Sequence, residues 1–166
     1  MLRGVVIGVV AVIVVVGGVL FAQRLEPAVR QPIQFNHAKH IAQGLECAAC
    51  HQYVKEQTFA GLPTVETCMM CHSAPQTKSP EEEKVRQFAE KGQGIPWQRL
   101  YRMPGHVFFS HRRHVSVAKV ECQTCHGAMA QATTPPSRPL VNQSMSWCLA
   151  CHEKRQASVD CVACHK

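Results

Sequence analysis

The chain is poor in the residues from which ordinary cores are built. Aromatic side chains make up 6% of it and charged ones 17%. The hydrophobic fraction of 46% misleads, because much of it sits in one block. Residues 4–23 carry no charge and consist mainly of Val, Ile, Leu and Ala. Beyond that block roughly 143 residues remain, thin in Leu, Ile and Phe for an apolar core of that size. This disfavours a conventional cytosolic α/β enzyme. The total of 166 residues allows one domain, or one domain and an anchor. No nucleic-acid motif is present, so the formal charge of +7 does not by itself imply a nucleic-acid partner. What is abundant is cysteine and histidine, ten of each. Little apolar material and much cysteine point to cross-links, metal or a large bound cofactor.

Arg3 and Arg24 bracket an uncharged run from Gly4 to Ala22. At about 1.5 Å per residue such a run is roughly 28 Å long, close to the thickness of a bilayer core. A cleaved secretory signal has a shorter apolar region and a small-x-small cleavage site. Here Leu20-Phe21-Ala22 puts a large residue where a small one is wanted. Residues 1–24 therefore read as an uncleaved single-pass anchor, with a cleaved signal as the alternative. Gly8, Gly17 and Gly18 suit close packing against another membrane helix.

Every cysteine belongs to a C-x-x-C-H: Cys47/Cys50/His51, Cys68/Cys71/His72, Cys122/Cys125/His126, Cys148/Cys151/His152 and Cys161/Cys164/His165. This is the attachment signature of c-type haem. The two thiols add to the two vinyl groups of one haem, and the adjacent histidine reaches the iron. Zinc knuckles also use C-x-x-C pairs but need no histidine after each one, and disulfides would not fix it either. The pattern predicts five covalent haem c groups, with the core formed largely by porphyrin. Haem propionates then balance part of the excess positive charge. Attachment of this kind occurs outside the bacterial cytoplasm, so the anchor would leave the haem domain on the periplasmic side of the inner membrane.

Five histidines remain after the proximal ones: His37, His40, His106, His111 and His114. Four form two copies of one pattern, Phe35-Asn-His37-Ala-Lys-His40 and Phe109-Ser-His111-Arg-Arg-His114. This is an internal repeat. The i, i+3 spacing puts both imidazoles on one side of a helical turn, angled toward different haems. His37, His40, His111 and His114 are thus candidate sixth ligands.

F-x-H-x-x-H followed by C-x-x-C-H resembles the class III cytochromes c. That resemblance implies a mostly α and irregular fold with little β, and it implies ligand roles. His37 would serve the Cys47/Cys50 haem and His40 the Cys68/Cys71 haem. His111 would serve the Cys122/Cys125 haem and His114 the Cys148/Cys151 haem. The slot upstream of a later motif, which supplies the last ligand in the triheme members, falls at Ser144 beside Met145. Met145 is therefore expected to ligate the last iron in preference to His106, although counting alone nominates His106. Methionine would raise that haem's potential above those of its bis-histidine neighbours.

Gly61-Leu-Pro63, the segment from Pro96 to Pro104, V-F-F-S-H-R-R-H-V and M-S-W-C-L-A-C-H resemble, in that order, the pentahaem cytochrome subunit of alternative complex III. Related subunits occur in menaquinone reductase complexes. The resemblance implies an electron-transfer subunit with no catalytic site of its own. Its partners would be integral quinol-binding subunits and an iron–sulfur subunit, with a soluble cytochrome or copper protein as acceptor. A stand-alone membrane quinol dehydrogenase and a free periplasmic shuttle are the alternatives.

The expected organisation is an anchor over 1–24, a dihaem module over 25–78, a linker helix and loop over 79–105 and a trihaem module over 106–166. Ser79 reads as the N-cap of the linker helix, Pro80 as N1 and Glu82 as the N3 member of a capping box. Gly92 reads as its stop. T-T-P-P-S-R-P over 133–139 is an extended loop. Trp97 and Trp147 are expected to pack on porphyrin faces.

Overall fold

The computed structural model of the chain describes residues 2–23 and 28–166. Its helices are α1 (Leu2–Gln23), α2 (His37–Ala42), α3 (Cys47–Cys50), α4 (Val65–His72), α5 (Pro80–Glu90), α6 (Cys122–His126), α7 (Met145–Lys154) and α8 (Cys161–Cys164). A π-helical turn covers Arg112–Val117 and a 3₁₀ turn Met129–Gln131. Among the described residues no strand forms, and one antiparallel bridge joins Val107 to His165. The fold is mostly helical and irregular, as the sequence suggests.

The α1 helix is 22 residues long. Its side chains are described only at residues 8 and 10–19. Among the described residues no helix is long and apolar enough to cross a membrane. The rest of the anchor expected over 1–24 lies outside them.

Short helices start where a side chain can take an orphan N–H. Asn36 caps α2 by accepting from Lys39 N–H, Thr64 caps α4 through Thr67 N–H, and Ser144 caps α7 through Trp147 N–H. Ser79 caps α5 with Pro80 in its first turn, as expected. The capping box is not formed. Glu82 turns away from Ser79, whose N–H goes to the Thr77 hydroxyl at 3.1 Å. The Glu82 carboxylate is drawn instead to His72, Gln76 and Thr77, where several donors converge. Gly92, at φ +60°, follows the end of α5.

Side chains build one small core. Ile33, Val65, Val85 and Ile95 are buried together, with Cys68, Met69, Phe88, Ala89 and Trp97 packed against them. This joins α4 to α5 and to the segment after it as far as Trp97, while Tyr101 further on meets His126 and Leu140 of the later module. Trp97 belongs to this core and donates its indole N–H to Pro63 O at 2.9 Å. No described side chain is less than 2% exposed. The chain exposes 12383 Å², against about 8,200 Å² for an ordinary folded monomer of this mass. Exposed valines of α1 contribute to the excess, but so do Ile41, Leu45, Phe59, Met70, Phe108, Leu140 and Val162. The apolar side chains around the cysteines line space instead of filling it.

Several strands of chain tie the two halves together. Thr58 O accepts from His111 N–H at 3.1 Å, and Gln57 O from Arg112 N–H at 3.0 Å. Ala132 O accepts from Ala38 N–H at 3.1 Å, and Ser137 O from Val29 N–H at 2.8 Å. These bonds bring the second repeat beside the loop that follows His51.

Candidate haem-binding site

Each C-x-x-C lies on a helical turn: α3, the last turns of α4, α6, the middle of α7, and α8. Helical spacing puts thiols at i and i+3 on one face, with the histidine at i+4 on the same side. Glu46, Glu121 and Asp160 stand in extended backbone immediately before α3, α6 and α8. An anion there suits the positive end of the turn.

All ten thiols are free. Cys50, Cys68, Cys122, Cys125, Cys148, Cys151 and Cys164 are half-buried, whereas Cys47, Cys71 and Cys161 are exposed. Cys68 packs against the side-chain core, but Cys71, on the last turn of α4, is left open to solvent. Three residues advance a helix by about 300°, not a full turn. The core-facing stripe that takes in Val65 and Cys68 has therefore rotated past by Cys71. What holds Cys71 in place is its main chain, whose carbonyl accepts from the Gln76 side-chain amide at 3.0 Å.

The histidines meet in pairs. The ring centroids of His40 and His72 lie 6.1 Å apart, those of His114 and His152 6.1 Å, and those of His111 and His126 6.4 Å. Two imidazoles that each reach one metal at about 2.0–2.1 Å from opposite sides have centroids about 6.3 Å apart. The three pairs therefore have the span that one iron needs. Each pair joins the H-x-x-H histidine to the proximal histidine that the class III resemblance assigns to it.

The repeat is also a repeat in space. Phe35 stacks on His40 at 4.3 Å and meets His37 edge-on at 4.8 Å. Phe109 stacks on His114 at 4.7 Å and meets His111 edge-on at 4.9 Å. The phenylalanine that opens each pattern thus holds both of its imidazoles. The sequence displays these residues without revealing that task.

Ring orientation is fixed further by Nδ1. His40 Nδ1–H donates to Asn36 O and His114 Nδ1–H to Ser110 O, both at 2.8 Å. His111 donates to Thr58 O at 2.9 Å, His51 to Gly61 O at 2.8 Å, and His152 to Ser158 O at 2.6 Å. His72 donates to the Glu82 carboxylate at 2.8 Å. An Nδ1 so occupied leaves the Nε2 lone pair for a metal, the usual arrangement behind ligating histidines. Burial, followed by His111 and His51, pushes the His126 imidazole down to about 4. It is therefore neutral near pH 7, as a ligand must be.

Burial first, then the charges of His51 and His40, lower the pKa of His37. Its buried Nδ1 has no hydrogen-bond partner. At the last motif the structure departs from the sequence reading. His106, not Met145, lies against His165, with centroids 5.5 Å apart and planes 14° from parallel. Main-chain bonds from Phe108 N–H to Cys164 O (2.7 Å) and from Lys166 N–H to His106 O (3.1 Å) clamp them together. Met145 is 62% exposed on the first turn of α7. The Ser144 hydroxyl is spent on capping that helix.

Thiols of neighbouring motifs raise one another's pKa. Burial, then Cys50, pushes the Cys68 thiol up to about 11. Burial, then contact with Cys47, raises Cys122. Burial, then Cys151 and Cys148, raises Cys125, and burial, then Cys164, raises Cys148. Cys122 is hydrogen-bonded to Cys47, and the other motifs feel the charge of a neighbouring one, in the series Cys68/Cys71, Cys47/Cys50, Cys122/Cys125, Cys148/Cys151, Cys161/Cys164.

These features fit covalent haem. Thiols share a helical turn with a histidine, imidazoles straddle an iron's width, and apolar side chains line open space. Among the described residues no three His, Cys, Asp or Glu side chains converge as a metal cluster, so a zinc knuckle finds no ready donor set.

Comparison with known proteins agrees. Residues 107–166 match the family described as cytochrome c7 and related cytochrome c, and residues 21–95 match the class III cytochrome c family. The multihaem cytochrome c subunit of menaquinone reductase from Nitratidesulfovibrio vulgaris (strain Hildenborough) is 31% identical over 180 residues, covering 93% of this chain and 86% of that one. With attachment turns, paired imidazoles and these matches in agreement, the chain belongs to the class III multihaem cytochrome c family and works in electron transfer through covalently bound haem c.

Proposed function

We propose that this chain is a five-haem, membrane-anchored relay that carries electrons within a quinol-oxidising respiratory or photosynthetic complex to periplasmic acceptors. One observation carries the reading: His72, His126 and His152 each face a second imidazole with ring centroids 6.1, 6.4 and 6.1 Å apart, the span of an iron. These three irons, each closed by two protein ligands, offer no open position to substrate, which favours a relay over an enzyme with its own catalytic haem. Bound haem supplies one-electron carriers. The chain's residues hold these groups, orient their axial ligands and set their order.

In this reading His37, His40, His111, His114 and His106 are the distal ligands of the Cys47/Cys50, Cys68/Cys71, Cys122/Cys125, Cys148/Cys151 and Cys161/Cys164 haems. We take the Cys68/Cys71 and Cys161/Cys164 turns as the two ends of the relay, with the Cys47–Cys122 contact as the joint between modules. The anchor, the periplasmic position, the integral quinol-binding and iron–sulfur partners and a soluble cytochrome or copper-protein acceptor complete the proposal. Its support is the uncharged run at 4–22 and the likeness to a menaquinone reductase subunit.

Gentle detergent purification from membranes tests it. Mass spectrometry should find five haems on the chain. The chain should co-migrate with large integral subunits, and a quinol should reduce its haems within that complex. A lone membrane protein that oxidises quinol points to the stand-alone dehydrogenase instead. A soluble chain without the anchor points to the free shuttle.

A further inference from the structure

Glu82 is the only buried polar or charged side chain among the described residues, at 6% exposure. Its position in α5 suggests a cap, yet it caps nothing. The carboxylate accepts from His72 Nδ1–H at 2.8 Å, from Thr77 N–H at 2.9 Å, from the Thr77 hydroxyl at 2.7 Å and from Gln76 N–H. Every one of these neighbours is a donor, so the site is built for a carboxylate anion.

This sets one axial histidine apart. His40, His51, His111, His114 and His152 all donate Nδ1–H to a neutral main-chain carbonyl. Among the described residues, His72 alone donates to a carboxylate. A carboxylate draws the Nδ1 proton harder and leaves Nε2 more basic. A more basic axial ligand and an added negative charge both favour the oxidised iron, and second-shell bonding and local charge are established levers on haem potential. Burial keeps solvent and salt from screening that charge. Arg86 opposes the effect from 3.7 Å. Its guanidinium, however, is also bonded to Glu83 at 2.7 Å, so its charge is shared.

We propose that Glu82 is a positioning residue that acts through His72 to make the Cys68/Cys71 haem the most readily oxidised of the set. The proposal rests on reading the chain as a multihaem relay, and it gives one end of that relay a fixed character. The Cys68/Cys71 haem becomes the low-potential terminus, and the Cys161/Cys164 haem, at the other end, has no carboxylate-backed histidine among the described residues.

The test uses the full-length holoprotein. In the wild type, an NMR redox titration follows the haem methyl signals, assigned to each attachment site. The Cys68/Cys71 methyls should oxidise first. In Glu82→Gln, which keeps the size and an acceptor oxygen but removes the charge, the midpoint of that haem should rise while the other midpoints stay in place. Another haem oxidising first in the wild type overturns the proposal. So does a fully loaded Glu82→Gln protein with unchanged midpoints. If the variant fails to fold or load, the wild-type order decides alone. Haem counting by mass spectrometry separates the two levels. A chain lacking haem at Cys68/Cys71 sinks both the relay and the role of Glu82, whereas a full complement with no shift sinks only the latter.

Discussion

The choice between His106 and Met145 can be decided by a single substitution. The two imidazoles at the last motif stand 5.5 Å apart, about 0.8 Å closer than the ~6.3 Å that two histidines on one metal require. A sub-ångström separation of the rings admits an iron, and the β-bridge between Val107 and His165 can keep its register meanwhile. Met145 would need far more. Its side chain is 62% exposed, and it starts a helix capped by the bond from Trp147 N–H to Ser144. Breaking such a cap costs about 1 kcal/mol. His106→Ala should therefore convert one haem of five from low to high spin, and Met145→Ala none. Electron paramagnetic resonance of the oxidised protein reads the spin state, and the visible spectrum reports any methionine–iron charge-transfer band. A wild-type protein with that band, lost in Met145→Ala, refutes the reasoning. So does a His106→Ala protein whose haems all remain low-spin.

Gly61→Ala should destabilise the first module by about 1–2 kcal/mol for the left-handed backbone alone. Gly61 has φ +81°, and an added Cβ would lie 2.8 Å from the Tyr53 ring. The same change disturbs the carbonyl that orients His51, so a lower thermal midpoint should accompany an altered signal from the Cys47/Cys50 haem. Phe109→Ala removes two ring contacts, at 4.7 and 4.9 Å, worth about 0.5–1.5 kcal/mol each. Thermal denaturation should show a loss of about 1–3 kcal/mol, with ligand-field changes confined to the two haems that His111 and His114 serve. Cys122→Ser/Cys125→Ser should lower the haem count by one and stop flash-initiated electron transfer between the two modules. Cys161→Ser/Cys164→Ser should lower the count equally but leave the other four haems in exchange. Equal transfer losses in the two variants would contradict the proposed order of the haems.

The attachment chemistry was legible in the sequence, because thiols at i and i+3 with a histidine at i+4 form a local constraint. A single helical turn satisfies it wherever it occurs. The H-x-x-H repeat was legible for the same reason, and the rings of His40, His111 and His114 do lie near those of His72, His126 and His152. The scarcity of Leu, Ile and Phe foretold a chain with almost no side-chain core. Long-range placement was not legible. The motif makes Cys68 and Cys71 look alike, yet packing against α5 covers the first and leaves the second exposed. His106 reaches His165 through hydrogen bonds between segments nearly sixty residues apart, and no local pattern announces them. Met145 looked suitable by offset from its motif, but offset says nothing of the cap that Ser144 makes for the helix it begins. The proposed order of the haem turns depends on Cys47 meeting Cys122 and on Cys50 lying near Cys68, which only the packed chain brings about. Glu82 marks the limit most clearly. Its sequence position fits a capping box, a local rule, but a buried carboxylate goes where the most donors converge. Tertiary structure put His72 and the 76–77 turn there.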